Sequence, residues 1–159
     1  MDAQTMAAAI TTDLVALDVE PPASKEELFR GMSACLVRSG RVRDAEAFLA
    51  ALEERESLGS TFMGDGLALP HGKGATVTQA SIVIWRLRSP MTYTSCDETG
   101  PVDRIVMLAV PDGGEGEHLQ ALALLARLLM DDDAVAGLGA ARDPHDVVDV
   151  VVQFAATRA

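Results

Sequence analysis

The stretch SIVIWRL, residues 81–87, decides the fold together with VDRIVMLAV, residues 102–110. Both runs are almost continuously apolar, a composition typical of strands that are covered on both faces of a sheet. Because side chains alternate between the two faces of a strand, Ile82 and Ile84 are predicted on one face, with Val83 and its alternate neighbours on the other. We therefore expect two long strands at the centre of the molecule, with further elements packed above and below them.

Helix signals flank these strands in the sequence. The segment SKEE, residues 24–27, is a capping box that predicts the start of a helix, and Gly40 stands where such a helix commonly ends. Asp44 is placed to cap a second helix that ends near residues 57–59. After the strands, an apolar helix is predicted from His118, a short helix or turn at 131–139, and a last helix after the Asp143 cap and Pro144.

The order of these elements predicts an α/β fold. We expect a three-layer sandwich, in which helices cover both faces of a mixed parallel and antiparallel sheet. Part of the sheet should be antiparallel because residues 67–110 contain no predicted helix that could serve as a parallel crossover. Shorter strands are predicted at 14–19 and 67–69, with a loop at 60–66 and a turn at 112–116. The 159 residues have the size of one domain, so a single domain over 1–159 is expected.

Composition argues against several classes of function. The net charge of −11 repels nucleic acids and anionic membranes, and no apolar window reaches the length of a membrane span. Cys35 and Cys96 form no CxxC pair, and no secretion signal is recognisable at the N-terminus, so a reduced, cytoplasmic protein is expected. Walker A, dinucleotide-loop and metal-ligand spacings all fail, so we predict neither a cofactor nor a metal. A metal held by His71, His118 and Asp65 is a remote alternative.

The segment GDGLALPHGK, residues 64–73, is the strongest candidate for a chemical site. A short strand rises to Leu69, Pro70 ends it, and His71 follows at the edge of the sheet, where ligands of α/β proteins commonly bind. The flanking glycines let a bulky anion approach the backbone, and a neutral imidazole near pH 7 is a plausible nucleophile. Spacing alone favours the other interpretation, a histidine that merely caps or forms hydrogen bonds at a strand end.

A family resemblance favours the chemical interpretation. Residues 54–73, ERESLGSTFMGDGLALPHGK, resemble the phosphohistidine signature of type-2 enzyme IIA from bacterial sugar phosphotransferase systems, whose core reads G-x-G-ϕ-A-ϕ-P-H-G. Further similar segments are KEELF (25–29), EAFLAAL (46–52), PVDRIVMLAVP (101–111) and EHLQALALLARLL (117–129). The fructose/mannitol branch is the most similar, and the nitrogen-regulatory branch is close to it.

The resemblance implies a role for each matching residue. His71 would be the phosphoryl acceptor, His118 would stabilise the phosphoryl group, and Arg55 would stabilise its charge. The remaining residues implied to form the loop around the phosphoryl group are Ser60, Thr61, Gly64, Asp65 and Gly72. Asp65 departs from the usual asparagine. Its carboxylate would raise the pKa of His71 if it points at the site, and would have no effect if it caps the turn. Lys73 is expected to be a rim cation that helps docking, and His145 a surface residue.

The resemblance also implies partners. The phosphoryl donor would be an HPr-like phosphocarrier, and the acceptor a cysteine on a separate IIB protein that works with a IIC membrane component. Neither a cofactor nor a metal is implied, because the donor already carries an activated phosphoryl group. Nucleic-acid binding and direct membrane insertion are not expected. The nitrogen-regulatory branch offers an alternative, in which phosphorylation controls binding to a transporter or kinase. A non-phosphorylated scaffold is a third interpretation, and the sugar and the oligomeric state stay open.

Overall fold

A six-stranded mixed sheet forms the centre of the computed structural model, which describes residues 2–113 and 115–158. Its strands are β1 (Val15–Val19), β2 (Phe62–Gly64), β3 (Gly66–Ala68), β4 (His71–Gly74), β5 (Ser81–Ser95) and β6 (Glu98–Pro111). They are arranged in the order β1-β5-β6-β3-β2, and β4 pairs with β6 farther along the same side as β3. The pairs β5–β6 and β2–β3 are antiparallel, whereas β6 runs parallel to β3 and β4, and β1 runs parallel to β5. The predicted mixed sheet is therefore confirmed.

The β5–β6 hairpin is longer than the sequence pattern predicted. Its inner half pairs Ser81 with Ala109, whereas its outer half pairs Met91 with Val102 and continues to the turn. The pairing is irregular between the two halves, in the segment that contains Pro90. A proline cannot donate to a strand ladder, so it fits such an irregularity.

Six helices in the described chain pack against this sheet. They are α1 (Ala3–Ala9), α2 (Lys25–Arg38), α3 (Ala45–Leu58), α4 (Glu115–Leu129), α5 (Asp132–Ala140) and α6 (Pro144–Arg158). The predicted caps are confirmed: Ser24 and Asp44 each accept a hydrogen bond from a backbone N–H in the first turn of α2 and α3. Gly40 lies at φ 72° just past α2, as a C′ glycine should. None of the helices in the described ranges has the length and apolar content that a bilayer span requires.

Helices cover both faces of the sheet, as predicted. One hydrophobic cluster joins α1, α4, α5 and α6 to the face that carries Ile82 and Ile84. The other cluster joins α2 and α3 to the opposite face, which carries Val83 and Leu87, with Trp85 packed against it. The alternation read from SIVIWRL is therefore confirmed.

Two local predictions need correction, and the elements β4 and α1 were not predicted. Residues 62–64 of the predicted loop form β2, because Asp65 and its two neighbouring glycines adopt left-handed conformations that make a tight hairpin turn. Strand β3 ends at Ala68, before Pro70, as predicted, but the pairing with β6 continues beyond it: the C=O of Pro70 accepts a hydrogen bond from the Leu108 N–H at 3.0 Å, and β4 begins at the next residue. Helix α4 begins at Glu115, three residues before His118, and Gly114 of the predicted 112–116 turn lies outside the described residues.

Candidate functional site

The imidazole of His71 is held by a hydrogen bond at each ring nitrogen. His71 is the first residue of β4 and is 7% exposed. Its Nδ1 lies 3.1 Å from the C=O of Leu69, and its Nε2 accepts a hydrogen bond from Nε of Arg55 at 2.9 Å. A carbonyl can only accept and a guanidinium can only donate, so Nδ1 carries the proton and Nε2 carries the lone pair. The surroundings therefore select one neutral tautomer of His71.

The pKa of His71 lies below its usual value of 6.5. Burial is the largest cause, because it penalises the charged imidazolium. The positive charge of Arg55 and the neighbouring His118 lower the pKa further, while the bond to Leu69 and the carboxylate of Glu56 raise it. Near pH 7 the ring is accordingly neutral and nucleophilic at Nε2.

Arg55 reaches His71 from the last turn of α3. Its Nη1 donates to the C=O of Gly59 at 2.9 Å, where the helix ends. This bond satisfies a carbonyl at the helix terminus and also fixes the direction of the guanidinium. The sequence folds this way because α3 is capped at Asp44 and ends at Gly59, which leaves Arg55 one turn from its end. Arg55 thus brings a permanent positive charge to the nucleophilic nitrogen.

His118 approaches from the opposite side of the site. It lies in the first turn of α4, and its ring centroid is 5.7 Å from that of His71, with the two planes at 62°. The first turn of a helix is favourable for an anion, because its backbone N–H groups point outward and the helix dipole is positive there. His71, His118 and Arg55 are thus brought together from β4, α4 and α3.

Two depressions meet at this trio. A cavity of about 380 Å³ is lined by His71, Arg55 and His118, with Glu54, Leu58 and Lys73 on its walls. A groove of about 410 Å³ lies beside it, shares His71 and Arg55 with it, and has apolar residues of α4 along one side. Leu58 and Leu119, which line these two depressions, are 78% and 69% exposed.

Three of the predicted loop residues, Ser60, Thr61 and Gly72, line the depressions at the trio, and the side chains of Ser60 and Thr61 point in different directions. Ser60 lines the groove, and its hydroxyl accepts a hydrogen bond from the N–H of Phe62 at 3.1 Å. Thr61 is 3% exposed, and its hydroxyl donates to Glu56 at 2.5 Å, on the inner side of the segment. The hydroxyl of Thr61 therefore points away from the trio and binds Glu56, so only the backbone of Thr61 can face the trio.

Close packing and backbone conformation explain why glycine occurs at the predicted positions 72 and 64. A Cβ on Gly72 would lie 3.1 Å from the ring of Phe48 and 3.4 Å from the backbone of Leu52, so a glycine lets α3 pack closely on β4. Gly64 (φ 80°) and Asp65 (φ 53°) form the β2–β3 turn. The C=O of Asp65 accepts a hydrogen bond from Arg104 at 2.6 Å, and the residue lines a separate depression beside Met130.

The other singled-out residues lie at the rim or elsewhere. Lys73 lines the cavity. His145 is exposed at the start of α6, 3.3 Å from Asp149. Its neighbours Asp143 and Asp146 could share a cation with it, but both already accept backbone hydrogen bonds at the helix start. Cys35 is buried, Cys96 is exposed, and both are free thiols.

Sequence reasoning missed Glu56, the residue next to Arg55. Its side chain is 10% exposed and receives donors from three segments, including Lys25 of α2 and the hydroxyl of Ser95 on β5. From sequence, a glutamate near the end of a helix is ordinarily expected to be exposed to solvent. The available signal was Lys25, one of only two lysines in the chain, at the start of the neighbouring helix.

Comparison with known proteins gives a consistent result. Residues 9–153 match the model of the family described as phosphoenolpyruvate-dependent sugar phosphotransferase system, EIIA 2. The PTS system fructose-specific EIIA component of Haloferax volcanii is 33% identical over 153 residues, which cover 96% of this chain and 98% of that protein. The PTS system 2-O-alpha-mannosyl-D-glycerate-specific EIIABC component of Escherichia coli is 35% identical over 129 residues, 80% of this chain. The matched part is only 20% of that longer protein.

A solved structure is similar over most of the chain. The crystal structure of the nitrogen regulatory protein IIA-Ntr from Neisseria meningitidis superimposes with a TM-score of 0.81 at 31% sequence identity. The match covers 92% of this chain and 98% of that one. The similarity therefore extends to proteins named for sugar transport and to proteins named for nitrogen regulation.

Proposed function

Because the chain belongs to the phosphoenolpyruvate-dependent sugar phosphotransferase system EIIA 2 family, we propose that it is a phosphoryl carrier whose acceptor atom is Nε2 of His71. The observation that carries this proposal is the tautomer of His71. The Leu69 carbonyl requires the proton on Nδ1, so the lone pair lies on the nitrogen that faces Arg55. The nucleophile therefore needs no general base, because it is already unprotonated near neutral pH.

The transfer step follows from this geometry. The Nε2 lone pair attacks the phosphorus of the donor phosphohistidine in line; the new N–P bond forms as the donor's N–P bond breaks, and the donor imidazole leaves with that electron pair. The proton on Nδ1 stays in place, and the Leu69 carbonyl stabilises the positive charge that the ring acquires. The donor supplies an activated phosphoryl group, so this step requires no metal or nucleotide.

Arg55 changes partner during the step. Its Nε–H occupies the Nε2 lone pair in the resting site, so the guanidinium must turn from the ring to the incoming phosphoryl oxygens. The bond from Nη1 to Gly59 keeps it within reach, and its charge then stabilises the oxygens of the transition state. His118, at the start of α4, holds the phosphoryl group from the other side. Ser60 and the backbone of the 59–61 segment complete the surroundings.

The partners follow from the family. The donor is an HPr-like phosphocarrier, and the acceptor is a cysteine of a IIB component that serves a IIC component in fructose/mannitol-type sugar uptake. The chain acts as one domain in the cytoplasm. The exposed Leu58 and Leu119, which border His71, provide an apolar docking surface around the phosphoryl group. A small transient interface of this kind suits a carrier that must release each partner.

A nitrogen-regulatory role is the second candidate. It is favoured by the solved IIA-Ntr structure, which superimposes on this chain with a TM-score of 0.81. In that case the chemistry at His71 is the same, but the output is phosphorylation-dependent binding to a transporter or kinase. The two roles differ in the fate of the phosphoryl group, which a carrier gives up to a IIB protein and a regulator retains until it is hydrolysed or returned.

The test is transfer of labelled phosphate. The wild type, His71→Ala and the surface control His145→Ala are each mixed with labelled phosphoenolpyruvate, enzyme I and HPr. We expect label on the wild type and on His145→Ala, and none on His71→Ala. Equal labelling of wild type and His71→Ala would overturn the proposal. Adding a fructose-type IIB protein then separates the two candidates, because a carrier loses its label to IIB.

A further inference from the structure

A second polar cluster lies directly behind the His71 site. Its centre is the carboxylate of Glu56, which is buried. One carboxylate oxygen accepts from Lys25 Nζ, from Ser95 Oγ at 2.8 Å and from Tyr93 Oη at 3.4 Å. The other accepts from Thr61 Oγ1 at 2.5 Å. These four donors satisfy the carboxylate inside the protein, which is the condition for burying such a charge at tolerable cost.

Lys25 ties this cluster to the rest of the fold. It is the first residue of α2, and its Nζ also donates to the C=O of Thr94 on β5 at 2.7 Å. The same ammonium lies 4.7 Å from the centroid of the Tyr93 ring, within the range of a cation–π contact. Burial and the nearby Glu56 raise the pKa of Tyr93, so its hydroxyl stays protonated and can donate. The cluster thus locks α2, α3 and β5 together around one carboxylate.

Two series of hydrogen bonds connect this cluster to the two ring nitrogens of His71. In the first, the C=O of Thr61 accepts from the N–H of Leu69 at 2.9 Å, and the C=O of Leu69 receives Nδ1–H of His71. In the second, the C=O of Gly59 holds Nη1 of Arg55, whose Nε–H reaches Nε2. Both series begin in the segment 59–61.

That segment is fixed from behind at Thr61. The hydroxyl of Thr61 binds Glu56 and lies 2.7 Å from Tyr93 Oη, and its N–H donates to Ser95 Oγ at 2.9 Å. The backbone of Thr61 therefore has one position in which all of these bonds are made. An apolar side chain in place of Thr61 would fill the same space without specifying that position.

We propose that Glu56 is a positioning residue: acting through Thr61, it holds the 59–61 segment so that Leu69 and Arg55 keep His71 in the tautomer with its proton on Nδ1. Glu56 does not touch the phosphoryl group. Its charge is used to orient the backbone that orients the imidazole. The inference deepens the proposed function, on which its use in phosphoryl transfer rests, but the state of the ring can be measured without any transfer.

The experiment measures the ¹⁵N shifts of the two ring nitrogens of His71 in ¹⁵N-labelled full-length protein at neutral pH. The variants are Glu56→Ala, Thr61→Val and Thr61→Ser. Glu46→Ala is the matched charge control, because Glu46 pairs with Arg30 across the same two helices, α2 and α3, but on an exposed surface. Leu138→Ala, a buried position on α5 away from the site, controls for general loss of stability.

Wild-type His71 should show two widely separated nitrogen shifts, as a single neutral tautomer does. In Glu56→Ala and Thr61→Val the two shifts should move toward each other as the second tautomer becomes populated, while Thr61→Ser, Glu46→Ala and Leu138→Ala keep the wild-type separation. A folded Thr61→Val protein with wild-type shifts would overturn the inference, and this variant decides the matter if Glu56→Ala does not fold. Absence of labelled phosphate on the wild type would refute the proposed function while the nitrogen shifts still tested this inference.

Discussion

Arg55 and Glu56 are adjacent in the last turn of α3 and carry opposite charges, yet they lie in contrasting surroundings. Arg55 lines an open cavity and makes one hydrogen bond to a carbonyl and one to Nε2 of His71. Glu56 points inward and is surrounded by four donors from three other segments. Successive residues of a helix point about 100° apart, so one turn can serve both sides.

The contrast indicates what each charge is suited to do. Arg55 can exchange one partner for another, because only a single bond ties it to the ring. Glu56 cannot move without leaving the buried hydroxyls of Thr61 and Ser95 without their acceptor, which costs about 1–3 kcal/mol for each. An arginine that can change partner beside His71, with a fixed glutamate behind it, suits the phosphoryl binding and release that we propose for this site.

The largest effect is expected from replacing Arg55. Arg55→Met removes the guanidinium but keeps a side chain of similar length, so phosphoryl transfer to His71 should slow by about 10²–10³-fold, as when a fixed donor to a transition-state oxyanion is lost. The pKa of His71 should rise at the same time, because the charge of Arg55 helps to lower it. Rates of labelling and NMR titration of the ring measure the two effects. Arg30→Met, on an exposed surface, is the control, and an unchanged labelling rate in Arg55→Met would contradict the role given to Arg55.

The next largest effect is a loss of folding stability, expected from replacing Glu56. Glu56→Ala removes the acceptor of the buried Thr61 and Ser95 hydroxyls and the carboxylate partner of Lys25, so the free energy of unfolding should fall by about 3 kcal/mol. Glu46→Ala breaks an exposed ion pair between the same two helices and should change stability little. Urea unfolding of both variants measures the difference. Equal losses in the two would show that the buried cluster contributes no more than a surface pair.

A smaller effect is expected from pH. The pKa of folded His71 is below the 6.5 of the unfolded chain, so below pH 6.5 the unfolded state binds the proton first. Stability contributed by neutral His71 is complete above pH 6.5 and declines as the pH falls toward the folded pKa, by at most about 1.4 kcal/mol per pH unit. His71→Gln should remove this decline. The difference in unfolding free energy between wild type and His71→Gln, measured from pH 7.5 to 5, isolates it, and a difference that does not vary with pH would contradict the lowered pKa.

The smallest effect is expected at His145. This histidine is exposed and pairs only with another exposed side chain among the described residues, Asp149. His145→Ala should therefore leave labelling and urea midpoint at their wild-type values. A clear loss of either would show that the start of α6 belongs to the functional surface, in addition to the region around Arg55 and Glu56.

Sequence patterns predicted the central layers well, because local signals and burial agree there. The apolar run SIVIWRL and the caps at Ser24 and Asp44 each specify their element without help from distant residues. The outer half of the β5–β6 hairpin was missed because Pro90 interrupts the run and only alternate residues, such as Met91 and Tyr93, face inward. Helix α1 has seven residues, too few for a helical period to be read with assurance.

The candidate site was predictable in part for a different reason. His71 is a candidate from its own short motif, and the family resemblance favours its chemical role. His118 and Arg55 were singled out through the resemblance alone, since nothing in their immediate sequence distinguishes them from surface residues. Glu56 could not be found in this way. Its burial arises only when Lys25, Thr61 and Ser95, which are far apart in sequence, converge in the folded chain.

The proposed function depends most directly on one atom, Nε2 of His71, which we propose accepts the phosphoryl group. Two-dimensional ¹H–¹⁵N NMR of the ¹⁵N-labelled, phosphorylated protein, together with ³¹P coupling to the ring nitrogens, identifies the atom that carries phosphorus. We predict a phosphoramidate bond at Nε2 of His71, with a proton on Nδ1. Phosphorus on Nδ1 of His71, or on either nitrogen of His118, would contradict the account.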